Sequence, residues 1–79
     1  MKLIIIIPAF NEEKTIAQVI QEIPRNIEGI NELQILVIDD GSTDNTAKEA
    51  KNAGASVVSH IKNEGLGIAF LTGIREALK

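Results

Sequence analysis

Leu3-Ile4-Ile5-Ile6-Ile7 is an unbroken, mostly β-branched run. It has the pattern of a strand covered on both faces, which implies a parallel sheet held between helix layers. Pro8 is expected to end that strand. Asn11 then reads as an N-cap, with Glu12 and Glu13 placed favourably in the first turn of a helix. Ile16, Val19, Ile20 and Ile23 recur at helical spacing until Pro24 stops the pattern, which predicts an amphipathic surface helix.

From Arg25 to Glu32 the periodicity lapses into a loop with Asn26, Gly29 and Asn31, anchored by Ile27 and Ile30. A second strand is predicted from Gln34 to Ile38, running straight into Asp39-Asp40-Gly41-Ser42. Gly41 allows a sharp turn, and Ser42 or Thr43 can cap a short helix through Ala47 and Ala50 that ends at Gly54. Ala55 to Ser59 reads as a third, weaker strand. A polar loop, Lys62-Asn63-Glu64-Gly65-Leu66-Gly67, leads into a last helix reaching about Leu78. In that helix Ile68, Leu71, Ile74 and Leu78 face one way while Phe70, Gly73 and Ala77 face another, so most of its circumference calls for burial. Gly73 costs up to about 1 kcal/mol there relative to alanine, which close packing of the helix would explain.

The order β-α-β-α-β-α predicts an α/β fold of three layers around a parallel sheet of strand order 3-2-1. If both early crossovers step the same way, the first two helices share a face. Covering the other face then falls to the last helix, which should cross back towards a fourth strand beside the first. Residues 1–79 hold no such strand, so they are expected to be the front part of a larger domain. The reversal places a crevice at the ends of strands one and two, the usual ligand address in open α/β sheets.

Composition narrows the chemistry. Seventy-nine residues make one domain at most, and such a chain buries only roughly 60% of the surface its unfolded form exposes. There is no cysteine, hence no disulfide and no thiolate metal site, and the lone His60 cannot form a histidine cluster. His60 and Arg75 read as surface residues. Net charge is −3, the pI is near 5.0 and the basic residues are scattered, so no footprint for nucleic acid is present. Leu3 to Ile7 is far shorter than the roughly 20 apolar residues that cross a bilayer, and it makes a poor signal peptide.

Two segments meet at the crevice: Pro8-Ala9-Phe10-Asn11-Glu12 and Asp39-Asp40-Gly41-Ser42. Together with V-I-D-D-G-S-T-D-N-T and N-E-G-L-G-I-A-F-L-T-G-I, they make the whole chain resemble the start of a family 2 glycosyltransferase of the GT-A, Rossmann-like fold. Closest is the branch of polyprenol- or dolichol-phosphate mannose synthases and glucosyltransferases. The resemblance implies a nucleotide-diphosphate sugar, UDP- or GDP-linked, as donor, and an acceptor such as a polyprenyl phosphate, with inverting displacement. It gives Asp40 the ring N–H of uracil or guanine, a contact a carboxylate can make. Pro8, Ala9 and Phe10 would line the base, Ile38 would border it, and Glu12 would accept from ribose hydroxyls. Asp39 is expected to brace the turn, Glu13 to favour the helix dipole, and Phe10 reads alternatively as core. The pair Asp39-Asp40 has the simpler alternative of a solvated, capping turn. Gly65 and Gly67 precede a helix, so their N–H groups could face an anion, although G-L-G-I-A is not the dinucleotide fingerprint.

Members of the family hold Mg2+ or Mn2+ and the donor diphosphate with a later D-x-D element, and deprotonate the acceptor with a later carboxylate. Neither is expected within residues 1–79, so no catalytic residue and no metal site is assigned there. Adjacent Asp39 and Asp40 point in different directions and are not the metal motif. These residues alone are therefore expected to transfer no sugar. Localisation is expected to be cytoplasmic, with any hold on the cytoplasmic face of the membrane supplied by other parts. Two other readings compete: a receiver- or flavodoxin-like module, argued against because the third strand ends in Ser59-His60 without an acid, and a fragment that self-associates through uncovered apolar faces.

Overall fold

The computed structural model describes all 79 residues. In chain order the elements are β1 (Lys2–Ala9), α1 (Ile16–Gln21), β2 (Glu32–Asp39), α2 (Thr46–Asn52), β3 (Ser56–Ser59) and α3 (Leu66–Ala77). The three strands form one parallel sheet in the order β1-β2-β3, which is the 3-2-1 arrangement read from the other edge. Leu3 pairs with Leu33 and Ala9 with Asp39, while Leu36 pairs with Ser56. Alternation along the strands sends side chains to two separate cores. Ala9, Ile35 and Val37 pack with Ile16, Ile20 and Ala50 under α1 and α2, whereas Leu36 and Ile38 pack with Ala69 under α3. The sheet is thus the middle of three layers, with α3 alone on its own face, as the sequence pattern implies.

Pro8 does not end β1. The strand runs to Ala9, whose carbonyl accepts from the Asp40 N–H at 2.8 Å. Backbone groups alternate sides along a strand, so the Pro8 nitrogen faces the open edge of β1, where its missing hydrogen breaks no ladder bond. Asn11 is not an N-cap either. It adopts a left-handed conformation (φ 52°), one of the few such positions open to asparagine. The regular helix starts only at Ile16, after a turn in which the Glu12 carbonyl accepts from the N–H groups of Thr15 and Ile16. Ile16 and Ile20 carry its buried face, and Val19 is half exposed. In α2 the cap position falls to Asn45 rather than Ser42 or Thr43, with the Asp44 carboxylate accepting the Thr46 N–H at 3.0 Å. Gly54 follows α2 with φ 101°, as a C′ glycine does.

In α3 only one narrow stripe of the apolar circumference is buried, the one that carries Gly73. The stripe turned to the sheet is the small one: Ala69 and Gly73 are buried and Thr72, Glu76 and Ala77 partly so. Leu66, Ile68, Phe70, Leu71, Ile74 and Leu78 all look outward. Gly73 explains the preference, since a β-carbon there would stand 2.5 Å from Ile6 Cγ2. Lacking that carbon, the helix settles close on the sheet. No helix is long and apolar enough to cross a membrane.

Candidate functional site at the tips of strands one and two

Parallel strands bring their carboxyl ends to one side, and β1 and β2 are neighbours. The segments that leave them, Phe10–Thr15 and Asp40–Asn45, are laced together by polar contacts. The Asn11 N–H donates to Ser42 Oγ at 2.9 Å, and its Oδ1 accepts the Thr43 N–H at 2.9 Å. The Glu12 N–H donates to Oγ1 of the fully buried Thr46 at 2.8 Å, and the Thr46 hydroxyl in turn donates to Asp44. Glu13 and Asp44 close the lattice reciprocally, each carboxylate accepting a backbone N–H from the other segment. Burial alone would push the Asp44 carboxyl up. The Thr46 hydroxyl and the N–H groups of Thr46 and Glu13 outweigh it and hold the carboxyl below its ordinary value.

Asp39 and Asp40 are both buried but face opposite sides of the sheet. Asp39 braces the turn. Its Oδ1 accepts the Ser42 N–H at 3.1 Å and its Oδ2 the Ser59 hydroxyl at 3.1 Å. Asp40 turns to the α3 side. Oδ1 faces His60 Nδ1 at 2.7 Å and accepts the Glu64 N–H at 2.9 Å, and Oδ2 accepts the Gly65 N–H at 2.9 Å. Those donors stabilise the ionised form. The His60 contact foremost, then the Glu64 N–H, hold the Asp40 carboxyl below the usual carboxylate range against desolvation, with the Gly65 N–H adding to them.

Gly41 makes this convergence sterically possible. At φ 78° its hydrogen faces the loop after β3, and a β-carbon would fall 2.3 Å from the Lys62 carbonyl carbon and 2.4 Å from the Asn63 nitrogen. Only glycine lets that loop press on the β2 tip and aim two amides at Asp40.

A cleft of about 380 Å³ opens beside Asp40, lined by Pro8, Ala9, Phe10, Glu12, Asp40, Asn63, Gly65, Leu66 and Ala69. Its size falls in the range of small-molecule sites. Six of the residues singled out in the sequence therefore share one wall: Pro8, Ala9, Phe10, Glu12, Asp40 and Gly65. Phe10 is 43% exposed and so is no core residue. Ile38 does not border the cleft. It is completely buried one layer beneath, against Ala69. Asp39 lies on the other face, and Gly67 sits exposed inside α3, away from the wall. The Gly65 N–H does meet an anion, but that anion is Asp40.

Sequence reasoning missed His60, Asn63, Leu66 and Ala69. His60 is no surface residue, since its side chain is only 11% exposed and both ring nitrogens are bonded. The one available signal was its place directly after a strand end in a chain with a single histidine. No three His, Asp or Glu side chains converge on a point that could hold a cation, and the Asp39 and Asp40 oxygens already accept from protein donors. A divalent metal does not fit the residues present.

The model of the family described as "Glycosyl transferase family 2" matches residues 4–79. A dolichol-phosphate mannosyltransferase of Pyrococcus furiosus is 32% identical over 81 residues, covering 98% of this chain and 23% of the relative. A UDP-N-acetylglucosamine–dolichyl-phosphate N-acetylglucosaminyltransferase of Methanococcus voltae is 36% identical, covering 92% of this chain and 34% of the relative. Among solved structures, glucosyl-3-phosphoglycerate synthase of Mycobacterium tuberculosis, in complex with Mn2+, UDP and glucosyl-3-phosphoglycerate, superposes with a TM-score of 0.74 at 34% identity. That superposition covers 90% of this chain and 28% of the synthase. The alignments thus cover about a third or less of the length of each of these three proteins.

Proposed function

The chain belongs to glycosyl transferase family 2, and on that premise we propose that residues 1–79 form the base- and ribose-binding half of a donor site for a UDP- or GDP-linked sugar. The observation that carries this reading is the cleft itself, where Glu12 from the β1 tip and Asp40 from the β2 tip share one wall with Pro8, Ala9 and Phe10. A carboxylate offers about four acceptor positions. Three at Asp40 are filled by His60, Glu64 and Gly65, and the one left over belongs to Oδ2. Uracil and guanine each carry a ring N–H that suits such an acceptor. Pro8, Ala9 and the half-exposed Phe10 supply the apolar surface for a flat base, and the exposed Glu12 accepts from ribose hydroxyls.

In the whole protein the acceptor oxygen attacks the anomeric carbon from the face opposite the diphosphate. The carbon–oxygen bond to the diphosphate breaks, and the nucleoside diphosphate leaves with the electron pair. The acceptor proton passes to a general base outside residues 1–79, where the reading also places the ligands of Mg2+ or Mn2+. The metal is supported by the Mn2+ and UDP bound in the synthase. A polyprenyl phosphate acceptor is supported by the names of the two dolichyl-phosphate transferases. Residues 1–79 hold and orient the nucleoside, and alone they transfer no sugar.

Calorimetric titration with UDP and GDP tests the reading. The parent chain is expected to bind at least one of them and Asp40→Ala to bind it at least tenfold more weakly, the scale of one lost hydrogen bond to a charged group. Equal affinities would remove Asp40 from the site.

A further inference from the structure

His60 comes from neither strand tip that forms the nucleotide cleft, yet it makes the shortest contact to Asp40, 2.7 Å from Nδ1 to Oδ1. Its other ring nitrogen, Nε2, lies 2.8 Å from Thr72 Oγ1 on α3. Its backbone N–H donates to the Asp39 carbonyl at 2.8 Å, so the residue is fixed at main chain and ring alike. An ionised carboxylate only accepts, so the proton on this contact belongs to Nδ1. In the neutral ring Nε2 then accepts from the Thr72 hydroxyl, which selects the Nδ1–H tautomer.

The arrangement constrains Asp40 unequally. Oδ1 is saturated by the imidazole and the Glu64 N–H, while Oδ2 has the Gly65 N–H alone. Without the ring, the carboxylate keeps one loop amide on each oxygen but loses its shortest contact, so Oδ1 can shift and carry the unfilled acceptor position of Oδ2 off the line to the cleft. We propose that His60 is a positioning residue for recognition of the donor base. Through Nδ1–H it locks the Asp40 carboxylate so that Oδ2 meets a ring N–H of the uracil or guanine type, and Thr72 locks His60 in turn. The proposal rests on the reading that Asp40 meets the base. It adds a specificity consequence: cytosine and adenine carry a ring acceptor where uracil and guanine carry the N–H, and a locked carboxylate repels it.

The test titrates the 79-residue chain, labelled with 15N, with UDP, GDP, CDP and ADP. Parent, Asp40→Ala, His60→Ala, His60→Asn and Thr72→Val are compared, with the thermal midpoint of each recorded. The expected parent shows a protonated Nδ1 in its ring nitrogen shifts and prefers UDP or GDP. His60→Ala should weaken the preferred nucleotide about tenfold and narrow its lead over CDP and ADP. His60→Asn, whose amide N–H can take the place of Nδ1–H, should recover most of both, even if its thermal midpoint stays as low as that of His60→Ala. Thr72→Val should lie between. That split between affinity and stability is what a merely structural histidine would not produce. An unprotonated Nδ1 in the parent overturns the proposal without any substitution, as does His60→Asn binding no better than His60→Ala. If Asp40→Ala loses the nucleotide while His60→Ala keeps it, the role of His60 falls and the donor-site reading stands. If the parent binds none of the four, or Asp40→Ala binds as the parent does, the donor-site reading falls and takes the proposal with it. Should His60→Ala fail to fold, His60→Asn and the parent ring shifts still decide.

Discussion

Replacing Gly41 by alanine should damage this protein more than any other single added methyl group. The backbone there has φ 78°, and the new carbon would stand 2.3 Å and 2.4 Å from main-chain atoms of Lys62 and Asn63. Left-handed backbone alone costs an L-residue about 1–2 kcal/mol. The clash comes on top, because main-chain atoms cannot rotate aside as a side-chain tip can. Relief requires the loop after β3 to lift, withdrawing the Glu64 and Gly65 amides from Asp40. A buried carboxylate deprived of donors costs about 1–3 kcal/mol or more. The sum is about 2–5 kcal/mol, equivalent to a fall in Tm of roughly 8 °C or more for a domain of this size. Gly29→Ala is the internal control, since Gly29 has φ 83° with nothing within 4 Å of its added carbon. That variant should lose only the backbone term, about 1–2 kcal/mol. Urea unfolding of both, with amide shifts of Glu64 and Gly65 followed by NMR, checks the argument. If Gly41→Ala loses no more stability than Gly29→Ala, or leaves those two amides unmoved, the loop does not depend on Gly41 and the account of how Asp40 is held is wrong.

Gly73→Ala should cost about 1–3 kcal/mol by overpacking against Ile6, and Ile6→Ala in the same chain should recover part of the loss in a double-mutant cycle. The Asp40 carboxyl is held below its ordinary value in the folded chain. Its contribution to stability is thus complete above the unfolded value near about 4 and is lost as pH falls through the folded value. The stability gap between parent and Asp40→Asn, read from urea unfolding, should therefore close at strongly acid pH; a gap that persists undiminished there contradicts the sign. The outward Leu66, Phe70, Leu71 and Ile74 of α3 should make residues 1–79 associate as concentration rises. Sedimentation should report a mass that falls when Phe70 and Leu71 are changed to serine.

Much of the architecture was written in one-dimensional patterns. Continuous apolar runs named β1 and β2 as strands covered on both faces, and their order with the intervening helices set the three layers. The strand tips could be read because apolar residues give way abruptly to Asp39-Asp40 and to Asn11-Glu12. What pattern could not reveal was contact between segments distant in sequence. Propensity marks Pro8 as a strand breaker because it ignores which side of an edge strand a nitrogen faces. Asn11 reads as a cap in sequence because nothing local marks its left-handed backbone, which its bonds to Ser42 and Thr43 hold in place. In α3 the apolar pattern runs round most of the helix and so marks no single buried face; Gly73 signals the close packing, and Ala69 and Gly73 set the approach to the sheet. His60 and Asn63 reach the site only through the loop that Gly41 admits, a constraint visible only once the chain is folded. Ile38 borders Asp40 in sequence, but strand alternation separates neighbours, and its burial under α3 takes it out of reach of a ligand.

The central claim is that one hollow at the tips of β1 and β2 receives a nucleoside. It is tested most directly by titrating the 15N-labelled parent chain with UDP and with GDP and mapping the amide shifts. The account predicts saturable shifts concentrated at Phe10, Glu12, Asp40, Asn63 and Gly65. Shifts absent at millimolar nucleotide, or gathered at the opposite end of the sheet around Lys2, Gln34 and Ser56, would contradict it.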